Sequence, residues 1–340
     1  MTRTILAVDV GYGNTKAVWG AVDDGSCEVI YKSIAPRAGN STDDDYTDSK
    51  GSFDRAVINV NGSNYFVGRE AYLVGASVPL LAKNYIQNDV YMALLRGAMH
   101  FMIKRTGVVR KKIDGLVVGL PVSQFNSKRK DLQELVRGIH PIPTPKSMVN
   151  IYGPNLDVFV DKVLVLPQPI GALRNLIGKM DADDKSVSLI VDPGYNTFDW
   201  VTSDGARPDM QRSGSFDGGV AHILRTVGNQ AAKDLDLGFV DFVQCEVGLE
   251  TGGLWHDGAT IPFDKYKSVA DEAAYEIVSK FRSRLDMSRP FNRIVMAGGG
   301  AKYYVNAMRK AFPDYEITVD KDSVMANARG FYQVGAGLLL

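Results

Sequence analysis

The run Thr4-Ile5-Leu6-Ala7-Val8-Asp9-Val10-Gly11-Tyr12-Gly13-Asn14-Thr15-Lys16 is an apolar strand that ends on an aspartate and turns through glycines into small polar residues. A second run far along the chain, Val187-Ser188-Leu189-Ile190-Val191-Asp192-Pro193-Gly194-Tyr195-Asn196-Thr197-Phe198-Asp199, repeats the design. A strand delivers the backbone to the edge of a sheet, and glycine lets it reverse without a Cβ clash. Successive N–H groups in such a turn can hold phosphate oxygens. Asn14, Thr15, Asn196 and Thr197 offer side-chain donors, and Lys16 can set a cation against terminal phosphates. Asp9 and Asp192 would repel phosphate directly, so a carboxylate at that point suits a Mg²⁺ held through its waters. Each turn alone also reads as an ordinary β-hairpin. The pair is better explained by a duplicated domain, with both halves closing on one phosphate chain.

A third glycine cluster follows another apolar strand, Arg293-Ile294-Val295-Met296-Ala297-Gly298-Gly299-Gly300-Ala301. Three glycines let a flat ring and its ribose approach the backbone, the alternative being a flexible strand-to-helix loop. Ser215-Phe216-Asp217-Gly218-Gly219 reads as the start of a helix running to about Leu235. The N–H groups there, with Gly218 and Gly219, are expected to face ribose or phosphate.

The 340 residues are enough for two domains. Apolar content of 45% and charged content of 23% are globular values. Lysine plus arginine equals aspartate plus glutamate, 39 of each, which gives no push toward direct nucleic-acid binding. The two cysteines, Cys27 and Cys245, form no motif and fit free thiols in a reducing cytoplasm. His100, His140, His222 and His256 lack metal-ligand spacing and read as surface or hydrogen-bonded core residues. No apolar run reaches membrane-spanning length, and Asp9 interrupts the first one, so no signal peptide is expected.

Strands are expected over Thr4–Val10, Lys16–Ala21 and Cys27–Ser33, with an Asn61-Gly62 hairpin joining Ala56–Val60 to Asn64–Val67. The polar stretch from Ala35 to Lys50, with Asp43-Asp44-Asp45, reads as an exposed loop. Val90–Arg105 has helical spacing and methionines suited to core filling. Gly115–Gly119 is read as a strand, Ser127–Arg137 as a helix, His140–Pro145 as irregular, and Val149–Val158 and Asp161–Leu166 as strands. A helix over Pro169–Met180 links the halves. The second half repeats the plan, with a long helix Ser268–Arg284 and two C-terminal helices. The boundaries read as 1–166, with a small subdomain at about 34–85, and 167–340, with one at about 236–275.

Together these motifs resemble the actin/Hsp70/sugar-kinase superfamily. The first turn is similar to its phosphate-1 loop, the second to phosphate-2, and the triple glycine to its adenosine motif. Within it the chain resembles bacterial plasmid-segregation actins of the ParM/StbA type, including protein D of PRTRC plasmid systems. Further segments carry the likeness: Tyr65-Phe66-Val67-Gly68-Arg69-Glu70-Ala71, Val117-Val118-Gly119-Leu120-Pro121-Val122, Gln168-Pro169-Ile170-Gly171-Ala172 and Ala326-Asn327-Ala328-Arg329-Gly330-Phe331. The second turn departs from actin, since Tyr195 and Asn196 stand where smaller residues are usual.

The resemblance implies an α/β fold of duplicated actin-like (ribonuclease H-like) domains around a nucleotide cleft. ATP and Mg²⁺ are the implied cofactors, with GTP left open. Gly11 to Lys16, Gly194 to Thr197, Gly218, Gly219 and Gly298 to Gly300 are the implied nucleotide contacts. Asp9 and Asp192 would hold Mg²⁺ through waters, and Lys16 with the turn N–H groups would neutralise charge developing in phosphoryl transfer. The resemblance puts Gln168 where the attacking water is oriented, the alternative being a helix-start residue that satisfies backbone groups. Glutamine is a poor proton acceptor, so hydrolysis is expected to be slow. The implied function is a cytoplasmic, nucleotide-dependent filament that moves plasmid DNA through a DNA-binding adaptor. A small-molecule kinase is the alternative, but no sugar-binding run stands out. A chaperone-like or non-polymerising nucleotide switch is the third reading. No further substrate-binding domain is expected, which argues against a chaperone.

Overall fold

The computed structural model describes residues 3–21, 26–38, 54–71, 84–178, 185–238, 240–256 and 258–339. The acidic triplet Asp43 to Asp45 lies outside them. The chain divides into two compact units, Met1–Gly178 with Met325–Leu340, and Lys179–Val324. This differs from the sequence boundary at 166/167. The linking helix and the C-terminal helix both pack on the first unit, because their small residues fit one another there.

In the first unit, β1 (Thr4–Val10), β2 (Asn14–Ala21) and β3 (Ser26–Lys32) form an antiparallel meander. After the hairpin β4 (Arg55–Val60) and β5 (Ser63–Gly68) and helix α1 (Asp89–Thr106), β6 (Lys112–Leu120) pairs parallel to β1. Helix α2 (Val122–Leu135) and β7 (Gly138–Pro143) precede a one-turn helix, α3 (Val149–Tyr152). Strand β8 (Asn155–Pro167) leads into α4 (Gln168–Ile177). The sheet order is β3-β2-β1-β6-β8-β7. Every residue of β1 is buried, as expected of a strand covered on both faces. The β4–β5 turn has Asn61 at φ 50° and Gly62 at φ 80°, as its Asn-Gly sequence demands.

The second unit repeats the layout. Strands β9 (Val187–Pro193), β10 (Thr197–Asp204) and β11 (Arg207–Asp217) form the meander. Helices α5 (Val220–Asp234) and α6 (Phe242–Thr251), the hairpin β12 (Gly253–His256) and β13 (Ala259–Pro262), and α7 (Tyr266–Arg284) follow. Then come β14 (Arg293–Met296), α8 (Ala301–Ala311), β15 (Ile317–Val319) and α9 (Ala326–Leu339), the last belonging to the first unit. The order β11-β10-β9-β14-β15 matches β3-β2-β1-β6-β8 strand for strand, with β14 parallel to β9 as β6 is to β1. The duplication is therefore topological. Phe198, Trp200, Phe216, Phe281 and Tyr304 form the aromatic centre of the unit's core.

Several sequence expectations are corrected. His140–Pro145 is not irregular: β7 is an edge strand antiparallel to β8, and Pro141 and Pro143 are tolerated because edge positions need fewer donors. The two strands expected over Val149–Val158 and Asp161–Leu166 are one strand preceded by α3. Ser215 to Asp217 ends β11 instead of starting a helix. Residues up to 275 include much of α7, which belongs to the second unit's core through Ala273, Ala274, Ile277 and Phe281. Strand β15 was not foreseen, being only three residues long.

Helices α4 and α9 meet at two glycines. A Cβ on Gly330 would fall onto the Gly171 carbonyl, and one on Gly171 would fall onto the Asn327 backbone. The Asn327 side chain accepts the Ala172 N–H at 3.0 Å. Gly330→Ala should therefore lower stability by about 1–3 kcal/mol, the usual scale of overpacking. Gly337→Ala on the same helix meets nothing within 4 Å and should be neutral or stabilising. Thermal unfolding of both variants checks this.

His100 on α1 is buried, and its neutral ring donates from Nδ1 to the Pro143 carbonyl at 2.8 Å. Burial lowers its pKa from 6.5 to about 4. The unfolded chain binds this proton below pH 6.5 and the folded one only near pH 4, so the contribution is present above pH 6.5 and lost on acidification. Between pH 7.5 and 4.5 wild type should lose about 2–3 kcal/mol more stability than His100→Asn. Denaturant titrations at the two pH values measure the difference.

Candidate functional site

In the first unit the parallel strands β1, β6 and β8 end side by side, where α/β sheets place ligands. Asp9, 1% exposed, lies near the end of β1 and is paired in register with Lys16 on β2. Lys16 Nζ donates to Asp9 Oδ2 at 2.9 Å. Gln168, the first residue of α4, donates from Nε2 to Asp9 Oδ1, also at 2.9 Å. Gly119 makes this reach possible. A Cβ there would lie 2.7 Å from the Phe331 ring and 3.1 Å from Gln168 Cγ. Burial and the nearby Asp9 carboxylate push the Tyr91 phenol above its ordinary pKa. Asp9, Lys16 and Gln168 thus form one contiguous group, which the separate motifs did not disclose.

Both glycine turns are closed by the same backbone bond: Gly11 N–H to the Asn14 carbonyl at 3.2 Å, and Gly194 N–H to that of Thr197 at 2.8 Å. Those two amides therefore close their turns and do not point outward as expected. Thr15 is fully buried and shares a 2.9 Å hydrogen bond with Ser33, so its hydroxyl faces inward. Gly13 accepts from Ser33 N–H at 3.0 Å. Tyr12 is buried, whereas Gly11, Gly13 and Asn14 remain partly exposed.

In the second unit Asp192, 5% exposed, sits opposite Asp199, 1% exposed, in the β9–β10 register. Cross-strand partners share a face of the sheet. Two buried carboxyl groups are thus brought to one face of the hairpin. The sequence reading missed Asp199, although an Asp-x6-Asp spacing across a short hairpin signals it. The partly exposed turn residues are Gly194, Tyr195 and Asn196, while Thr197 is buried.

The start of α5 differs from expectation. Gly218 and Gly219 N–H groups donate to the Asn196 carbonyl at 3.2 and 3.0 Å, Val220 N–H to Gly194 at 3.0 Å, and Ala221 N–H to Tyr195 at 2.7 Å. The helix's unpaired amides are satisfied by the turn, so they brace it rather than face ribose or phosphate. The triple glycine splits similarly. A Cβ on Gly298, which has φ +77°, would strike Asp192 Oδ1, and one on Gly300 would strike the Pro193 carbonyl, whereas Gly299 meets nothing within 4 Å. Among the described residues no group of three or more His, Cys, Asp or Glu is placed to hold a metal, and no helix is long and apolar enough to cross a membrane.

These roles separate by substitution. Gly298→Ala and Gly300→Ala should lower the thermal midpoint of the second unit, by steric conflict with the turn. Gly299→Ala should fold and melt like wild type. Differential scanning calorimetry distinguishes the three.

Residues 7–171 match the family of actin-like proteins, N-terminal domain, and residues 190–310 match the archaeal actin homologue MreB-like, C-terminal family. No curated protein matches the chain in sequence. Among solved structures, a non-polymerisable quadruple mutant of pCBH ParM is 20% identical with a TM-score of 0.77, covering 98% of this chain and 99% of that one. A 15-stranded ParM filament from Clostridium botulinum is 19% identical with a TM-score of 0.74, covering 99% and 100%. An archaeal actin homologue in complex with ADP is 18% identical with a TM-score of 0.70, covering 98% and 99%. At these identities the likeness is one of fold. With the two family matches lying consecutively along the chain and each unit built on the same meander-plus-parallel-strand plan, this chain belongs to the actin-like proteins.

Proposed function

We propose that this protein is a filament-forming ATPase that hydrolyses ATP slowly and moves plasmid DNA through a DNA-binding adaptor. The observation that carries the reading is the buried Asp9 carboxylate held by Lys16 and Gln168 at the ends of β1, β2 and β8. A phosphate chain on the first turn competes with Asp9 for the Lys16 ammonium, which gives charge stabilisation where it develops in phosphoryl transfer. Gln168 keeps its side-chain carbonyl oxygen as an acceptor while Nε2 is fixed on Asp9. That oxygen can orient a water but is too weak a base to deprotonate it, which favours slow turnover.

The carboxylates fit a Mg²⁺ held through water rather than a direct protein cage, in keeping with the ion's reluctance to dehydrate. Asp9 would hold such waters at the first turn, and Asp192, with Asp199 beside it, at the second. When bound, the ion supplies neutralising charge to the phosphates. The partly exposed backbone of Gly11, Gly13 and Asn14, and of Gly194 to Asn196, would contact phosphate. Gly299 is the open member of the triple glycine and the one suited to lie under a base. Gly218, Gly219, Gly298 and Gly300 contribute by holding the second turn in shape. The ADP complex of the archaeal homologue and the ParM filament are consistent with nucleotide binding and polymerisation in this fold.

Asp192→Ala should stay folded and release phosphate from ATP at least ~10²-fold more slowly, the scale of one lost electrostatic stabiliser. Gln168→Ala should bind ATP nearly as well as wild type and hydrolyse it more slowly. Wild type should sediment as polymer with Mg²⁺ and ATP or a slow analogue, and disperse as ADP accumulates. Protein that binds ATP yet stays monomeric across the micromolar range, with or without crowder, removes the filament reading. Phosphate transfer to a small acceptor would instead favour a kinase.

A further inference from the structure

Both glycine turns carry a tyrosine directly after the first glycine, Tyr12 and Tyr195, and the two are used alike. Tyr12 is 5% exposed although it sits on a turn. Its ring lies 4.7 Å from that of Tyr85, and Gln124 Nε2 donates to its hydroxyl at 3.4 Å. Tyr85 begins the one-turn 3-10 helix that leads into α1, whose cap residue is Asn88, and its ring lies 5.5 Å from Tyr91 on α1 itself. The first residue of α1, Asp89, accepts from Asn61 Nδ2 at 2.8 Å and from the Tyr65 hydroxyl at 3.4 Å. Both donors belong to the β4–β5 hairpin. Contacts therefore run without a gap from the first turn to that hairpin.

The second unit repeats the arrangement with different residues. Tyr195 packs on Phe242 with ring centroids 6.5 Å apart, and the Arg225 guanidinium covers Phe242 at 5.9 Å. Phe242 is the first residue of α6, within the Asp241–Gln244 capping box. Helix α6 carries the β12–β13 hairpin. Gly252 at its C-terminal end accepts the Phe263 N–H at 2.8 Å, and Gly248 packs on the Phe263 ring. In each unit the turn tyrosine thus meets an aromatic residue just before or at the start of the helix that contacts the inserted hairpin. Simple core filling does not require this, since the residue after a turn glycine is free to be small and polar.

We propose that Tyr12 and Tyr195 are positioning residues that couple each glycine turn to the hairpin of its own unit, so that a polyphosphate held on the turn tightens that hairpin. The proposal rests on the nucleotide reading above. It assigns the coupling to ring contact, so the hydroxyls are dispensable.

The test is amide exchange of full-length protein with and without saturating ATP and Mg²⁺, with affinity measured separately. In wild type, ATP should slow exchange in both Arg55–Gly68 and Gly253–Pro262. Tyr12→Ala should lose the slowing in the first hairpin only, and Tyr195→Ala in the second only. The lost protection should be about two- to tenfold, the scale of one aromatic pair. Tyr85→Leu and Phe242→Leu keep apolar bulk and should reproduce the respective losses even where an alanine variant folds poorly. Tyr12→Phe and Tyr195→Phe should behave as wild type. Retained slowing in both hairpins of the leucine variants, loss in both hairpins from a single substitution, or phenylalanine variants behaving like alanine overturns the coupling. Wild type that binds ATP with no slowing in either hairpin overturns it while leaving the nucleotide reading intact. Wild type that fails to bind ATP overturns both.

Discussion

A carboxylate buried at the end of a doubly covered strand is the constraint around which the first unit is arranged. Asp9 is buried there, and Lys16 and Gln168 donate to its two oxygens. Breaking such a buried pair by removing one partner typically costs about 3–5 kcal/mol, because the other charge is left uncompensated. The hairpin register that sets Lys16 opposite Asp9 is thereby fixed. So is the start of α4, which must place Gln168 within reach. Gly119 leaves the room for that side chain, and Gly171 and Gly330 let α9 close over the base of α4. Motifs scattered over more than three hundred residues serve one local arrangement.

The second unit uses the same scaffold with reversed electrostatics. Asp199 stands where Lys16 does, opposite the strand-terminal aspartate. One hairpin therefore sets a lysine opposite its strand-terminal aspartate, and the other a second aspartate. This division follows from one residue difference in two equivalent hairpins.

The glycines show how easily a motif's role is misassigned. The missing Cβ at Gly298 and Gly300 allows the close approach of the backbone to Asp192 and Pro193, and that at Gly219 allows the approach to the second turn. These contacts are internal. The helix dipole of α5 likewise acts on the turn's own carbonyls. Amides at a helix start invite an anionic ligand only when the fold leaves them unpaired, and here four of them are paired.

The sequence by itself determined the strand-turn-strand units, their repetition, the Asn61-Gly62 hairpin and the glycine cluster after β14, because each is specified by residues adjacent in the chain. It also carried the actin-like resemblance. It did not determine that Pro141 and Pro143 lie in a strand, since only a place at the sheet edge makes proline acceptable there. Nor did it reveal the meeting of Lys16 and Gln168 on Asp9, the opposition of Asp192 and Asp199, or the return of α9 to the first unit. Those depend on strand register and on helix packing between residues as far apart as Gly171 and Gly330, and no local propensity encodes such distances.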